Sequence, residues 1–177
     1  MRRLSPALSV AFLLSACVTP IVHSSSIRHV RRELFAALTP SELTNCELRR
    51  YGDERDGGYL LCENLVAHSQ AAYSYGIDGR DQWGCDVSQQ LGTTVHEYDC
   101  FNLTRPGCQN GTFTFHEECI GEARQTLDGR SYDTLPEQLA RNGDIDTRLI
   151  VKMDVEGSEW ASLIATPDSV LEQIDQL

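Results

Sequence analysis

Residues 149–160 read LIVKMDVEGSEW, and the reading of this stretch decides the fold. Leu149, Ile150 and Val151 form the continuous apolar run of a strand covered on both faces, as in a parallel sheet. Lys152, Asp154, Glu156 and Glu159 follow at once, so ionisable groups gather where a strand gives way to a short helix. Such gatherings mark functional sites. Toward the N-terminus, AAYSYGI (71–77) reads as a strand and RDQWGCDVSQQLG (80–92) as a helix closed by Gly92; TTVHEYDCF (93–101) and TFTFHEECIG (112–121) read as strands, and SYDTLPEQLARNG (131–143) as a helix closed by Gly143. Alternating strands and helices predict an α/β fold, a parallel sheet with flanking crossover helices. Beyond residue 160, TPDSVLEQIDQL (166–177) predicts a capped helix with Val170, Leu171, Ile174 and Leu177 on one face. A four-stranded sheet whose last strand lies at an open edge then predicts a chain truncated after that helix.

The chain has 177 residues, 41% of them apolar and 23% charged, which suits one globular domain behind a leader. Its net charge of -11 repels a phosphate backbone, so no nucleic-acid partner is expected. Met1-Arg2-Arg3 followed by the uncharged stretch 4–22 has the layout of a secretory signal, cleaved or retained as a membrane anchor, over residues 1–24. Leu14-Ser15-Ala16-Cys17 also fits a lipoprotein box. Cys46, Cys62, Cys85, Cys100, Cys108 and Cys119 then remain, an even set that suits pairing in a secreted or lumenal protein. Asn102-Leu103-Thr104 and Asn110-Gly111-Thr112 are glycosylation sequons. Residues 25–70 should hold two short helices, the first carrying Ile27, Val30, Leu34 and Leu38 and the second opening at Thr39-Pro40-Ser41-Glu42. A Cys-bracketed turn at Asp56-Gly57-Gly58 follows, with Cys46 and Cys62 as the expected disulfide. Residues 71–177 form the sheet domain.

In an open parallel sheet, ligands bind beyond the carboxyl ends of the strands. The candidates are therefore Tyr75, Gly76 and Asp78 after the first strand, Asp99 after the second, His116, Glu117 and Glu118 after the third, and Asp154 and Glu156 after the fourth. Asp99 lies about 20 residues past the glycine, where an acid binds ribose hydroxyls in nucleotide-binding βαβ units.

The run Lys152-Met153-Asp154-Val155-Glu156-Gly157-Ser158-Glu159 resembles the signature of the FkbM-type S-adenosylmethionine-dependent methyltransferases. Asp56-Gly57-Gly58-Tyr59 and the run from Tyr73 to Ile77 resemble a secreted or membrane-anchored branch of that family. The resemblance, over about residues 46–177, implies a Rossmann-like methyltransferase sheet using S-adenosyl-L-methionine. It places Gly76 under the methionine part of the cofactor, Tyr75 and Asp78 beside it, Asp99 on the ribose, and Asp154 and Glu156 at the methyl-transfer centre. The implied activity is O-methylation of a sugar, glycan or other small hydroxyl acceptor, with Asp154, Glu156 or His116 as the base. Two other readings stand beside it. One is a lumenal glycosyltransferase holding a manganese-nucleotide sugar through Asp154-Val155-Glu156; the other is a secreted, non-catalytic binding module or degenerate methyltransferase fold. Scattered histidines and the absence of any Cys-x-x-Cys predict no resident metal.

Overall fold

The structure, a computed structural model, describes residues 24–39 and 41–177. The chain divides into two compact units, Met1–Leu43 and Thr44–Leu177. The signal and lipoprotein-box readings fall on residues outside those described, apart from Ser24 at the end of the signal reading. Within the first unit, α1 (Ser24–Leu38) is the expected helix, with Ile27, Val30, Leu34 and Leu38 exposed along it. Among the described residues, no helix is long and apolar enough to cross a membrane.

The second unit opens with a hairpin, β1 (Leu48–Gly52) against β2 (Gly58–Cys62), closed by the expected Cys46–Cys62 disulfide. The helix expected from Thr39 onward does not form among the described residues there. Asn64 instead accepts from the Glu47 amide at 2.9 Å and donates to the Asn45 carbonyl at 2.8 Å, committing those backbone groups to an extended path. After α2 (Glu63–Val66) come β3 (Ala71–Tyr75), α3 (Gln82–Leu91), β4 (Thr94–Tyr98) and β5 (Phe113–His116). Asp81 caps α3 by accepting from Gly84 N at 2.9 Å, and Gly92 ends it in the left-handed conformation.

The expected third strand runs only to His116. Cys119 and Ile120 form β6 of a separate small sheet with β7 (Gln125–Leu127) and β8 (Arg130–Asp133), ordered β6-β8-β7. The helix expected over 131–143 is thus β8 followed by α4 (Leu135–Asn142): Thr134 takes an extended conformation as N-cap, and Pro136 suits the first turn. Then follow β9 (Leu149–Met153), α5 (Ser158–Ala165), α6 (Asp168–Leu171) and β10 (Ile174–Gln176).

The main sheet has five parallel strands in the order β10-β9-β3-β4-β5, flanked by helices in a Rossmann-like arrangement. The last element corrects the expectation of a long C-terminal helix and of β9 as the open edge. The free N–H and C=O groups of β9 take up β10 in parallel, and Arg148 fixes the approach by donating to the Glu172 carbonyl at 2.6 Å and to Asp175 at 2.7 Å. Gln176 completes the joint by binding the Cys62 backbone at 2.9 and 3.1 Å. Edge pairing outweighs helical periodicity here.

Side chains alternate across the sheet. Tyr73, Tyr75, Tyr98 and Val151 pack beneath Leu135 and Leu139 of α4. Ala72, Val95 and Ile150 point the other way, onto Trp83 and Val87 of α3 and Tyr51 and Leu61 of the hairpin. Two further disulfides, Cys85–Cys108 and Cys100–Cys119, tie α3 and the end of β4 to the segments around β5. Three disulfides are compatible with an extracellular or secretory location. Cys85–Cys108 spans 23 residues, a closure worth about 3 kcal/mol. Cys85→Ser/Cys108→Ser should lower the unfolding free energy by that amount in non-reducing urea titrations; an unchanged midpoint would show that the bridge carries no stability.

Candidate functional site

The chain builds the sheet outward from β3 through β4 to β5, then returns to lay β9 on the other side of β3. Strand order therefore reverses between β3 and β9, where ligands bind in open α/β sheets. Beyond the carboxyl ends of these strands lies a cavity of about 600 Å³, within the range of small-molecule sites.

Gly76 ends β3 at φ +72°, and a Cβ there would lie 1.8 Å from the Asp154 carbonyl oxygen. Glycine is required because the ends of β3 and β9 touch. Asp154 N donates to the Tyr75 carbonyl at 3.1 Å, and Lys152 Nζ donates to the Gly76 carbonyl at 3.0 Å. Tyr75 is wholly buried, its hydroxyl donating to Gln138 at 2.9 Å.

Asp99, 8% exposed, uses both carboxylate oxygens on backbone. Oδ2 accepts from Ile77 N at 3.1 Å and Asp78 N at 2.8 Å, while Oδ1 accepts from Phe101 N at 2.8 Å and Asn102 N at 3.0 Å. Four donors match the four acceptor positions of a carboxylate, so Asp99 locks the loops after β3 and β4 together. Asp78, exposed at φ +47°, accepts from Asn102 Nδ2 at 2.9 Å.

Across the cavity, Asp154 accepts from the Tyr59 hydroxyl at 3.0 Å. Burial first, then this bond, pushes Tyr59 up to about 12, so it remains a donor. Glu156 is exposed at φ +56°, a strained conformation of the kind kept at functional sites. Glu159 holds this turn by accepting from Val155 N and Gly157 N, both at 2.8 Å. Burial raises the Glu159 carboxyl, but those amides outweigh it and hold the group below its ordinary value.

Tyr75, Gly76, Asp78, Asp99, Asp154 and Glu156 are thus brought to one cavity. His116 is not. It stacks on Tyr98 at 4.3 Å, with Nε2 3.3 Å from His96 Nδ1, outside the cavity lining. Burial first, then His96 and Arg141, pushes it down to about 4, so it is neutral at pH 7 and a poor base. Of its neighbours, Glu118 reaches the cavity and Glu117 does not. Sequence reasoning passed over Tyr98, Phe101 and Tyr132, which supply aromatic walls, and Asp56, which lines the cavity from the hairpin turn. The parity of side chains along β4 could have found Tyr98, since it shares a face with Tyr73 and Tyr75.

The lining carries six carboxyl groups, Asp56, Asp78, Asp99, Glu118, Asp154 and Glu156, and no lysine, arginine or histidine among the described residues. Among the described residues, no group of three or more His, Cys, Asp or Glu is placed to hold a metal ion. Comparison of the chain with known protein families, curated proteins and solved structures finds no match.

Proposed function

We propose that this cavity binds S-adenosyl-L-methionine and that the chain is a methyltransferase acting on a hydroxyl of a sugar or similar small acceptor. The observation that carries this reading is a cavity at the strand-order reversal with aromatic rings and carboxyl groups for walls and, among the described residues, no cationic side chain in its lining. Carboxylates and ring faces both favour a cation, and the cofactor carries one on its sulfonium. When bound, that cofactor supplies a methyl carbon activated for in-line displacement.

What the chain must add is position, a dry pocket and a proton acceptor. Tyr75 and Gly76 form the floor, rigid because each is bonded into β9. Asp78 and Glu118 offer acceptors for hydroxyl groups of the bound nucleoside, a role Asp99 cannot fill while four amides occupy it. Asp154, oriented by Tyr59, takes the proton of the acceptor hydroxyl, and Glu156 stands beside it on the same turn.

Calorimetric titration of S-adenosylhomocysteine into the folded chain should show micromolar binding. With labelled cofactor and a glycan panel, label should pass to oxygen. Asp154→Asn should cut turnover about a hundredfold, as loss of a general base does, and His116→Asn should leave it within a few-fold. A folded protein with no affinity for S-adenosylhomocysteine would refute the proposal.

A further inference from the structure

On the face of the sheet opposite the tyrosines, β4, β3 and β9 set Glu97, Ser74 and Lys152 side by side, because the register pairs Ser74 with both neighbours. Glu97 and Ser74 are wholly buried, and Lys152 is 9% exposed. α3 closes over this row. A Cβ on Gly84 would lie 2.5 Å from Asp81 Oδ2 and 3.1 Å from Glu97 Oε1, so two carboxyl groups from different elements converge on one spot. Among the described residues, both oxygens of Glu97 and Trp83 Nε1 have no hydrogen-bond partner, whereas the Ser74 hydroxyl stands beside the Asp81 carboxylate and favours its charged form. β5 sets Phe115 opposite Glu97 in the register, and from β2 the Tyr59 ring lies 5.9 Å from Lys152 Nζ.

With both carboxyls ionised, this interior would hold two negative charges against one ammonium, which burial penalises heavily. One proton brings the row to zero net charge. Asp81 is the better anion of the two: its Oδ1 accepts from Gly84 N at the start of a helix. Among the described residues, Glu97 has no such donor.

We infer that Glu97 carries a proton at neutral pH and that Glu97, Asp81 and Lys152 form a charge-balanced row whose titration sets how firmly Lys152 holds the loop at Gly76. The ammonium of Lys152 is the link, since it donates to the Gly76 carbonyl at 3.0 Å and reaches that of Tyr75 at 3.5 Å. Raising the pH transfers the Glu97 proton to bulk hydroxide, leaves two carboxylates competing for Lys152 and loosens its hold on the loop that floors the cavity. Burial, then the charge of Asp81, raises the Glu97 carboxyl to about 8, against the opposing pull of Lys152.

Between about 4.5 and 8 the folded chain keeps a proton that the unfolded chain has lost, so this group's contribution to stability falls as pH rises through that window and levels off above it. Glu97→Gln mimics the protonated form and removes the dependence. Its folding constant relative to the unaltered protein should therefore grow by up to about tenfold per pH unit between those limits. His96 and His116, on the other face, cancel in this ratio. Urea unfolding of the full chain at several pH values, with disulfides intact, measures it. Infrared difference spectra should show a protonated carboxylic-acid band at pH 7 that Glu97→Gln lacks, and the protection of the Gly76 amide, taken relative to its intrinsic exchange rate at each pH, should fall above pH 8 only in the unaltered protein. A ratio that does not change with pH, or the absence of that band from the unaltered protein, overturns the inference. All readouts are free of cofactor, so they stand or fall apart from methyl transfer.

Discussion

Gly76→Ala is expected to destabilise the second unit by about 4 kcal/mol, near a thousandfold in the folding constant, the sum of two costs. A non-glycine residue held at φ +72° loses about 1–2 kcal/mol. The new methyl would also sit 1.8 Å from the Asp154 carbonyl oxygen and 2.8 Å from its carbon, and because the obstacle is backbone, no rotamer change relieves it. Overpacking of this kind costs about 1–3 kcal/mol when the structure can shift. The shift must part the ends of β3 and β9 and strain the bonds of Gly76 N to the Tyr98 carbonyl and of Asp154 N to the Tyr75 carbonyl. Gly143→Ala is the control. That residue also has a positive φ, +82°, but a Cβ there meets nothing within 4 Å, so only the conformational cost of about 1 kcal/mol applies. Urea midpoints of the two variants, converted with a common slope, give the comparison. Equal losses would mean that the contact between strand ends does not constrain the site.

The features legible in the sequence were those with local causes. β3 and β9 stand out by apolar content, α3 by Asp81 and Gly92 at its ends, and the hairpin by the cysteines that bracket it. Strand ends are local too, which is why Asp78, Asp154 and Glu156 could be nominated before any geometry was known. What escaped reading depends on distant partners. Residues 174–176 have helical periodicity yet pair with β9, since an open sheet edge offers more than another turn of helix. Cys119 is held by Cys100, and Glu118 by Gln138 and Arg141, which draws the chain away from β5 into the small sheet. His116 ends β5, short of the strand expected to residue 121, and its parity sends the ring among Tyr98 and His96 instead of into the cavity. Tyr59 and Asp56 reach the site only because the hairpin folds against α3 and the sheet, a contact no spacing within residues 48–62 encodes.

Asp99→Ala should be nearly as damaging as Gly76→Ala, and Asp99→Asn almost equal to it. Removing the carboxylate strands the amides of Ile77, Asp78, Phe101 and Asn102, which all point at one buried spot. A hydrogen bond to a charged acceptor contributes about 1.5–3 kcal/mol, and part of that returns as the loops open to water, so a net loss of about 4 kcal/mol is expected. Asparagine does not rescue it. Its one oxygen can serve two of the amides, but its NH₂ then faces the other two, donor against donor. Hydrogen exchange at those four amides together with the urea midpoint measures the effect: both variants should lose protection at all four and lose affinity for S-adenosylhomocysteine with it. A residue whose role was to bind ribose would behave otherwise, because its loss would spare the fold. Retained protection in Asp99→Asn with binding gone would therefore return Asp99 to the ribose and release Asp78 and Glu118 from that role, whereas joint loss fixes Asp99 as the clamp that gives the cavity its shape.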